Sequence, residues 1–329
     1  MTLVPSYVFR GHTSQVNTIL FTNDNRNLIS GDADGYIIVW NLKTRRPLHR
    51  FRGHEDSIIA VWPLDGIIIS QGRDNKLKVW ELEDSASEPI RMNSPQRTIP
   101  VNSLNFCSFS LCCGGSNQQL IALPGLERSD VVDIFDFNEM QPLFKNIGED
   151  VRKQTGLCMA IRLFKLESFY LLLVAYESGN VILWKLMDNV EKVWSVKEHS
   201  GTALGLDVSS DCNWALSCGE DDKIVKYSLV ETDKPVVRIL TVKHAGVSNV
   251  KIRSDGRIFG TAGWDGKVRI FSSKTFKPLA ILSYHTESVY ALAFTNVLSQ
   301  EEPTEEGEAS KNWVAAAGKD ERISLWQIY

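Results

Sequence analysis

Apolar residues in this chain gather in short runs and not along helical faces. YIIVW (36–40), KLKVW (76–80), NVILW (180–184), KIVKY (223–227), KVRIF (267–271) and ISLW (323–326) are rich in β-branched and aromatic residues. Each is entered through an Asp-Gly, Asp-Asn, Ser-Gly or similar turn, the pairing of signals that predicts short antiparallel strands. No long stretch carries apolar residues at helical spacing. The pattern predicts an all-β chain.

The runs belong to a repeat. His12 precedes SGDADGYIIVW (30–40), His54 precedes SQGRDNKLKVW (70–80), and His199 precedes SCGEDDKIVKY (217–227). His244 precedes TAGWDGKVRIF (261–271), and His285 precedes AAGKDERISLW (316–326). In all five an Asp stands six residues before the closing aromatic: Asp34, Asp74, Asp221, Asp265 and Asp320. The His-to-Asp interval is 20–22 residues in the first four and 35 in the last. Two weaker copies fill the middle of the chain. VAYESGNVILW (174–184) has Ser178 where Asp is expected, and residues 101–136 keep only an outline in PVNSLNF, LIALPG and VVDIFD. Counting both gives seven units.

This set resembles the WD-repeat β-propeller family, whose signature is a Gly-His pair, a turn Asp and a closing Trp at a period of about 40–45 residues. The resemblance implies a seven-bladed β-propeller of four-stranded antiparallel blades. Its units are expected near 11–52, 53–95, 96–150, 151–195, 196–240, 241–281 and 282–329. Residues 5–10 precede the first Gly-His, while the last run stops just short of Tyr329. The N-terminal strand is therefore expected to complete the C-terminal blade and close the ring.

The resemblance also implies a hydrogen-bonded tetrad of His, Ser or Thr, Asp and Trp in each regular blade. His12, Ser30, Asp34 and Trp40 make one complete set, and His54, Ser70, Asp74 and Trp80 another. The remaining sets are partial. Tyr227 can still donate in His199, Ser217, Asp221, Tyr227, but Phe271 cannot donate to the set of His244, Thr261 and Asp265. Ala316 removes the hydroxyl from the set of His285, Asp320 and Trp326. A Ser-His-Asp trio also invites a catalytic reading. Its recurrence from blade to blade speaks for a structural device, and no phosphate loop, H-E-x-x-H or paired-carboxylate motif accompanies it. The chain reads as no enzyme.

Function is then expected on surfaces. Positions just before the turn Asp should reach the top face, namely Ala33, Arg73, Glu220, Trp264 and Lys319, with Tyr176 and Glu177 near the equivalent place in the fourth blade. Trp264 is the most telling of them, since Trp and Arg dominate interface energetics.

Composition narrows the partner class. The 329 residues carry 36 Lys+Arg against 40 Asp+Glu, a net charge of −4 that argues against a surface built for phosphates, and no direct nucleic-acid contact is expected. The basic segment TRRPLHRFRGH (44–54) reads as a solvated outer strand. The longest apolar run, YLLLVAY (170–176), is far too short to span a bilayer, and no leader-like segment opens the chain. Six cysteines make no C-x-x-C pair and read as reduced, mostly buried thiols. No metal or cofactor is expected. Five glutamates within 297–312 read as an acidic disordered insertion between the first two strands of the last blade.

A closer resemblance rests on SQGRD, IALPG, GLCMAIRLF, VAYESGNVILW, TAGWDGKVRIF, KPLAILSYH and GKDERISLW in that order. Together they are similar to the ASTRA-associated protein 1 family and its animal counterparts, the guanine nucleotide-binding protein β-subunit-like proteins. The resemblance implies a nuclear and cytoplasmic adaptor whose partners are Triple T subunits (helical-repeat proteins), with associated chaperone machinery or phosphatidylinositol-3-kinase-related kinases. Two other readings stand beside it. A peptide reader, such as a histone-tail or degron receptor, would need aromatic or basic residues around the top entrance, where the set is mixed in sign. A heterotrimeric Gβ would need an N-terminal helix, and ten residues precede the first Gly-His.

Overall fold

A computed structural model of the chain describes residues 3–64, 66–81, 94–113, 119–297 and 312–328. Among these residues the strands form seven four-stranded sheets, the blades of an all-β, seven-bladed β-propeller. Cα packing divides the chain into two units, Met1–Ile99 with Lys251–Tyr329, and Pro100–Val250.

The first unit begins with β1 (Tyr7–Arg10). Blade 1 follows as β2 (Val16–Phe21), β3 (Asn27–Asp32), β4 (Tyr36–Asn41) and β5 (Arg46–Arg52). Blade 2 is β6 (Ile58–Leu64), β7 (Ile67–Gly72), β8 (Lys76–Glu81) and β9 (Arg97–Pro100), so its fourth strand runs past the limit expected at residue 95.

The second unit holds three blades. Blade 3 is β10 (Ser110–Cys113), β11 (Gln119–Pro124), β12 (Val132–Asp136) and β13 (Pro142–Ile147). Of PVNSLNF, Pro100 ends β9 and the other six residues lie in the loop before β10. A one-turn helix, α1 (Arg152–Thr155), leads to blade 4, which is β14 (Cys158–Leu166), β15 (Phe169–Tyr176), β16 (Asn180–Leu186) and β17 (Val190–Lys197). Blade 5 is β18 (Ala203–Val208), β19 (Trp214–Gly219), β20 (Lys223–Ser228) and β21 (Val236–Thr241).

The chain then returns to the first unit. Blade 6 is β22 (Val247–Ile252), β23 (Ile258–Gly263), β24 (Lys267–Ser272) and β25 (Pro278–Ser283), with the unit boundary inside β22. Blade 7 is β26 (Val289–Phe294), β27 (Trp313–Gly318) and β28 (Arg322–Gln327), and β1 pairs on β28 as its fourth strand. Tyr7 stands opposite Leu325 and Arg10 opposite Arg322. The expected acidic insertion lies outside the described residues except for Val297 and Asn312.

Burial explains the runs seen in the sequence. Second strands such as β7 and β27 are buried along nearly their whole length, because both faces of the sheet are covered. Fourth strands are largely exposed, and β5 carries Arg46, Arg50 and Arg52 along an open edge, where charge discourages edge pairing. Within each unit, apolar layers fill the spaces between consecutive blades. In the first unit, Ile29, Ile37 and Phe51 of blade 1 meet Ile58, Ile68 and Trp80 of blade 2. In the second, Leu120, Ile134 and Ile147 of blade 3 meet Ile161, Leu172 and Trp184 of blade 4.

A register shift recurs beside the closing aromatic, between Val39 and Trp40, Leu183 and Trp184, Lys226 and Tyr227, and Ile270 and Phe271. A bulge of this kind re-aims a side chain. In blades 1 and 5 it stands beside the ring that reaches the buried hydroxyl.

Candidate interaction site

The tetrads fix the blade ends from which candidate contact residues project. In blade 2 the chain of bonds runs from His54 Nδ1 to Asp74 Oδ1 at 2.8 Å and from His54 Nε2 to Ser70 Oγ at 2.8 Å. Trp80 Nε1 donates to the same Oγ at 2.8 Å. The carboxylate can only accept, so Nδ1 carries the proton and Nε2 accepts the serine O–H. Burial lowers the His54 pKa, only partly offset by Asp74, in keeping with this neutral ring. Burial also pushes the Asp74 carboxyl up, but the His54 bond and charge, the Glu55 N–H and Lys78 outweigh it and hold it below the ordinary value. Blade 5 repeats the chain through His199, Asp221 and Ser217, with the Tyr227 hydroxyl 2.9 Å from Ser217 Oγ.

Three blades depart from the sequence expectation. In blade 1 the partner of His12 is Asp32, at 2.6 Å, and not Asp34, which is exposed. Asp32 lies opposite Val16 as Gly72 lies opposite Ile58, so it occupies the glycine place of the repeat. A carboxylate at that place reaches the ring two residues early, and its Oδ1 takes the N–H groups of Asp34 and Tyr36. In blade 7 the hydroxyl missing at Ala316 comes from Ser324, directly across the ladder. Ser324 Oγ lies 2.8 Å from His285 Nε2 and accepts from Trp326 Nε1 at 2.9 Å.

In blade 6 His244 is exposed, and Asp265 is held instead by Arg269 at 2.6 and 3.1 Å. A Cβ on Gly72 would meet the His54 ring, whereas one on Gly263 would meet Asp265 Oδ1 at 2.5 Å and Arg269 Nη1 at 3.2 Å. The guanidinium therefore fills the place of the imidazole. Thr261 is buried, and Phe271 stacks on Phe259 with ring centroids 5.1 Å apart.

The candidate contact residues share a backbone device. The N–H of Ala33 donates to Gln15, that of Arg73 to Ser57, and that of Lys319 to Ser288, each to a carbonyl in the segment entering its own blade. Glu177 and Glu220 do the same to Leu157 and Thr202. Within the first unit, Ser288 links two turns: its hydroxyl donates to the Trp264 carbonyl at 3.0 Å, and its own carbonyl receives the Lys319 N–H. Trp264 is 44% exposed on this pinned backbone, Arg73 is exposed, and Lys319 pairs with Glu287 at 3.3 Å.

In the second unit Glu177 and Glu220 are exposed, yet each braces a loop. Their carboxylates accept the N–H of Leu157 and of Thr202, both at 3.2 Å. Tyr176 is no surface residue. It sits in the glycine place of blade 4, opposite Cys158, and is fully buried with its hydroxyl near Gly148. Burial drives its pKa well up. Blade 4 thus encloses a phenol where blades 1, 2, 5 and 7 enclose an imidazole.

The model of the family described as ASTRA-associated protein 1 matches residues 5–317. Among curated proteins, the chain is 31% identical to ASTRA-associated protein 1 of Aspergillus flavus, covering 99% of this chain and 97% of that one. It is 30% identical to the Schizosaccharomyces pombe protein of the same name, covering 99% of each. It is also 31% identical to guanine nucleotide-binding protein subunit beta-like protein 1 of Mus musculus, over 99% of this chain and 96% of that one. With its blades carrying His-Ser-Asp networks and its length matched almost throughout, the chain belongs to the ASTRA-associated protein 1 family.

Proposed function

We propose that this chain is a non-catalytic adaptor that works with the Triple T co-chaperone in maturing phosphatidylinositol-3-kinase-related kinases and serves chromatin-linked assemblies, in nucleus and cytoplasm. The observation that carries the reading is the family match over residues 5–317. The geometry supports it. The serine of each tetrad is buried and already bonded to both an imidazole and an aromatic donor, so it has no exposed nucleophilic oxygen to present. Rigid turns that hold Trp264, Lys319 and Arg73 offer preformed contacts, the kind that cost little to dock.

The test is purification of the tagged full-length protein from its own cells at moderate salt, with mass spectrometry of what stays bound. Triple T subunits accompanied by the large kinases or their chaperone ATPases are expected. Histones or a ubiquitin ligase in their place would overturn the adaptor reading in favour of the peptide reader, which the exposed Trp264 also suits. Trp264→Ala and Arg73→Ala separate the two. Each abolishes binding of a short peptide in a reader, whereas an adaptor loses a whole complex.

A further inference from the structure

The loop between β9 and β10 inverts the usual distribution of side chains. Asn102, Ser103 and Asn105 are buried, while Leu104 and Phe106 stand 73% and 66% exposed. Asn102 Nδ2 donates to the Gly125 carbonyl at 2.8 Å and to Ser129 Oγ at 3.1 Å, and its Oδ1 accepts the Leu104 N–H at 3.2 Å. Asn105 donates to the Cys158 carbonyl, and the Cys158 N–H donates to the Ser129 carbonyl at 2.8 Å. These bonds lace together the loop, the β11–β12 turn and the start of β14. The laced segments carry two more exposed apolar side chains, Leu126 at 48% and Leu157 at 39%. Buried amides hold large apolar side chains out in water, against the direction in which each group gains by transfer. Exposed apolar side chains gathered on segments laced together in this way mark an interaction site.

Charge selects the occupant. Arg128 pairs with Asp130 at 3.0 Å and with Glu149 at 2.8 Å, and Arg152 pairs with Glu149 at 2.9 Å. Those basic groups are taken up. Exposed Glu127 beside Leu126 and exposed Glu177 against Leu157 remain, with Lys153 the exposed basic exception. A second copy docked by a two-fold through the patch would set this acidic rim against itself.

We propose that Leu104, Phe106, Leu126 and Leu157 form a docking patch for a basic amphipathic segment of a partner protein. Its apolar stripe covers the four side chains, and its Lys or Arg residues meet Glu127 and Glu177. The inference rests on the adaptor reading and gives it a surface and a partner chemistry.

The probe is a Leu/Lys amphipathic helical peptide, with a Leu/Glu peptide of the same pattern as control, titrated against the full-length chain by fluorescence anisotropy. The Lys peptide should bind at least about tenfold tighter than the Glu peptide, and L104S/F106S should cost about tenfold or more, as loss of buried anchors does. Leu279→Ser, at a 58% exposed position on β25 outside the patch, should change neither. Glu127→Lys, on an exposed turn, should weaken the Lys peptide and strengthen the Glu peptide without disturbing the apolar residues. Equal binding of the two peptides, or affinity unmoved by both variants, overturns the proposal. So does sedimentation showing a wild-type dimer that L104S/F106S dissociates. In the cellular purification, a variant that keeps every partner of the wild type sinks the patch and leaves the adaptor standing. A wild type that retains no such subunit sinks the adaptor, and the peptide titration still decides the patch.

Discussion

A buried hydroxyl that accepts an indole N–H and gives its proton to an imidazole leaves two other groups dependent on it. Ser324 holds that place in blade 7, so Ser324→Ala strands both His285 Nε2 and Trp326 Nε1. The expected loss is about 1–3 kcal/mol, read from urea midpoints. Ala316→Ser alone, across the ladder from an existing hydroxyl, should bring no comparable gain. Blade 1 offers a sharper contrast: Asp32→Ala should cost about 1–3 kcal/mol, whereas Asp34→Ala, at an exposed position, should stay within about 0.5 kcal/mol. The reverse order would remove Asp32 from the network. The motif SGDADG contains both acids, and the Ser-to-Asp spacing of the other units favours Asp34. Only the ladder shows that Asp32 stands in a glycine place. Tyr176 occupies the same place in blade 4, which is why a position expected at the surface is buried. Arg269 was equally visible, four residues beyond Asp265. Its longer, forked side chain reaches the carboxylate at two points, whereas Lys78, four residues beyond Asp74 in blade 2, donates to the Gly53 carbonyl and stands 4.0 Å from the Asp74 carboxylate.

Among the strands, β1 carries more than its length suggests. Phe9 is 1% exposed, packs its ring 5.1 Å from that of Trp40, and joins Val16, Ile38 and Leu325 in the layer between blades 7 and 1. Tyr7 donates its hydroxyl to the Arg45 carbonyl at 3.3 Å, and the Arg45 guanidinium lies 4.8 Å from the centroid of Trp313. Phe9→Ala should therefore destabilise by about 3–5 kcal/mol, the range for a buried aromatic. Deleting residues 1–10 should do at least as much by opening the β28 edge. A deletion that leaves the melting temperature unchanged would show that β1 is dispensable. This strand was legible because six residues ahead of the first repeat had no sheet of their own. Blade 3 was not, because its first strand is short and is preceded by the loop with Asn102 and Asn105 buried and Leu104 outward, a pattern that hydropathy reads backwards.

For the molecule as a whole, the histidines set a pH dependence. Burial holds His54 and His49 below the ordinary 6.5. As pH falls through that value the unfolded chain takes up protons that the folded chain refuses, so this contribution to stability is complete above 6.5 and is lost on acidification. The carboxyls of Asp74, Asp221 and Asp320, held below 3.8 by their histidine partners despite burial, add a second loss only as pH drops beneath that value. The melting temperature should fall from about pH 7 to about pH 5, and His54→Gln should flatten that limb while lowering the plateau. A flat profile in the wild type would contradict the neutral ring. The repeat itself was readable in its five regular units, where period and turn chemistry agree.

The pairing of β1 with β28 also sets an order of events. Every other blade is assembled from strands that leave the ribosome in succession, so each can pair within moments of synthesis. β1 must wait, with Phe9 unburied, until β28 has been released. Blade 7 is thus the slowest sheet to form and the stretch most exposed to chaperone capture, and its completion reports that β28 has been translated.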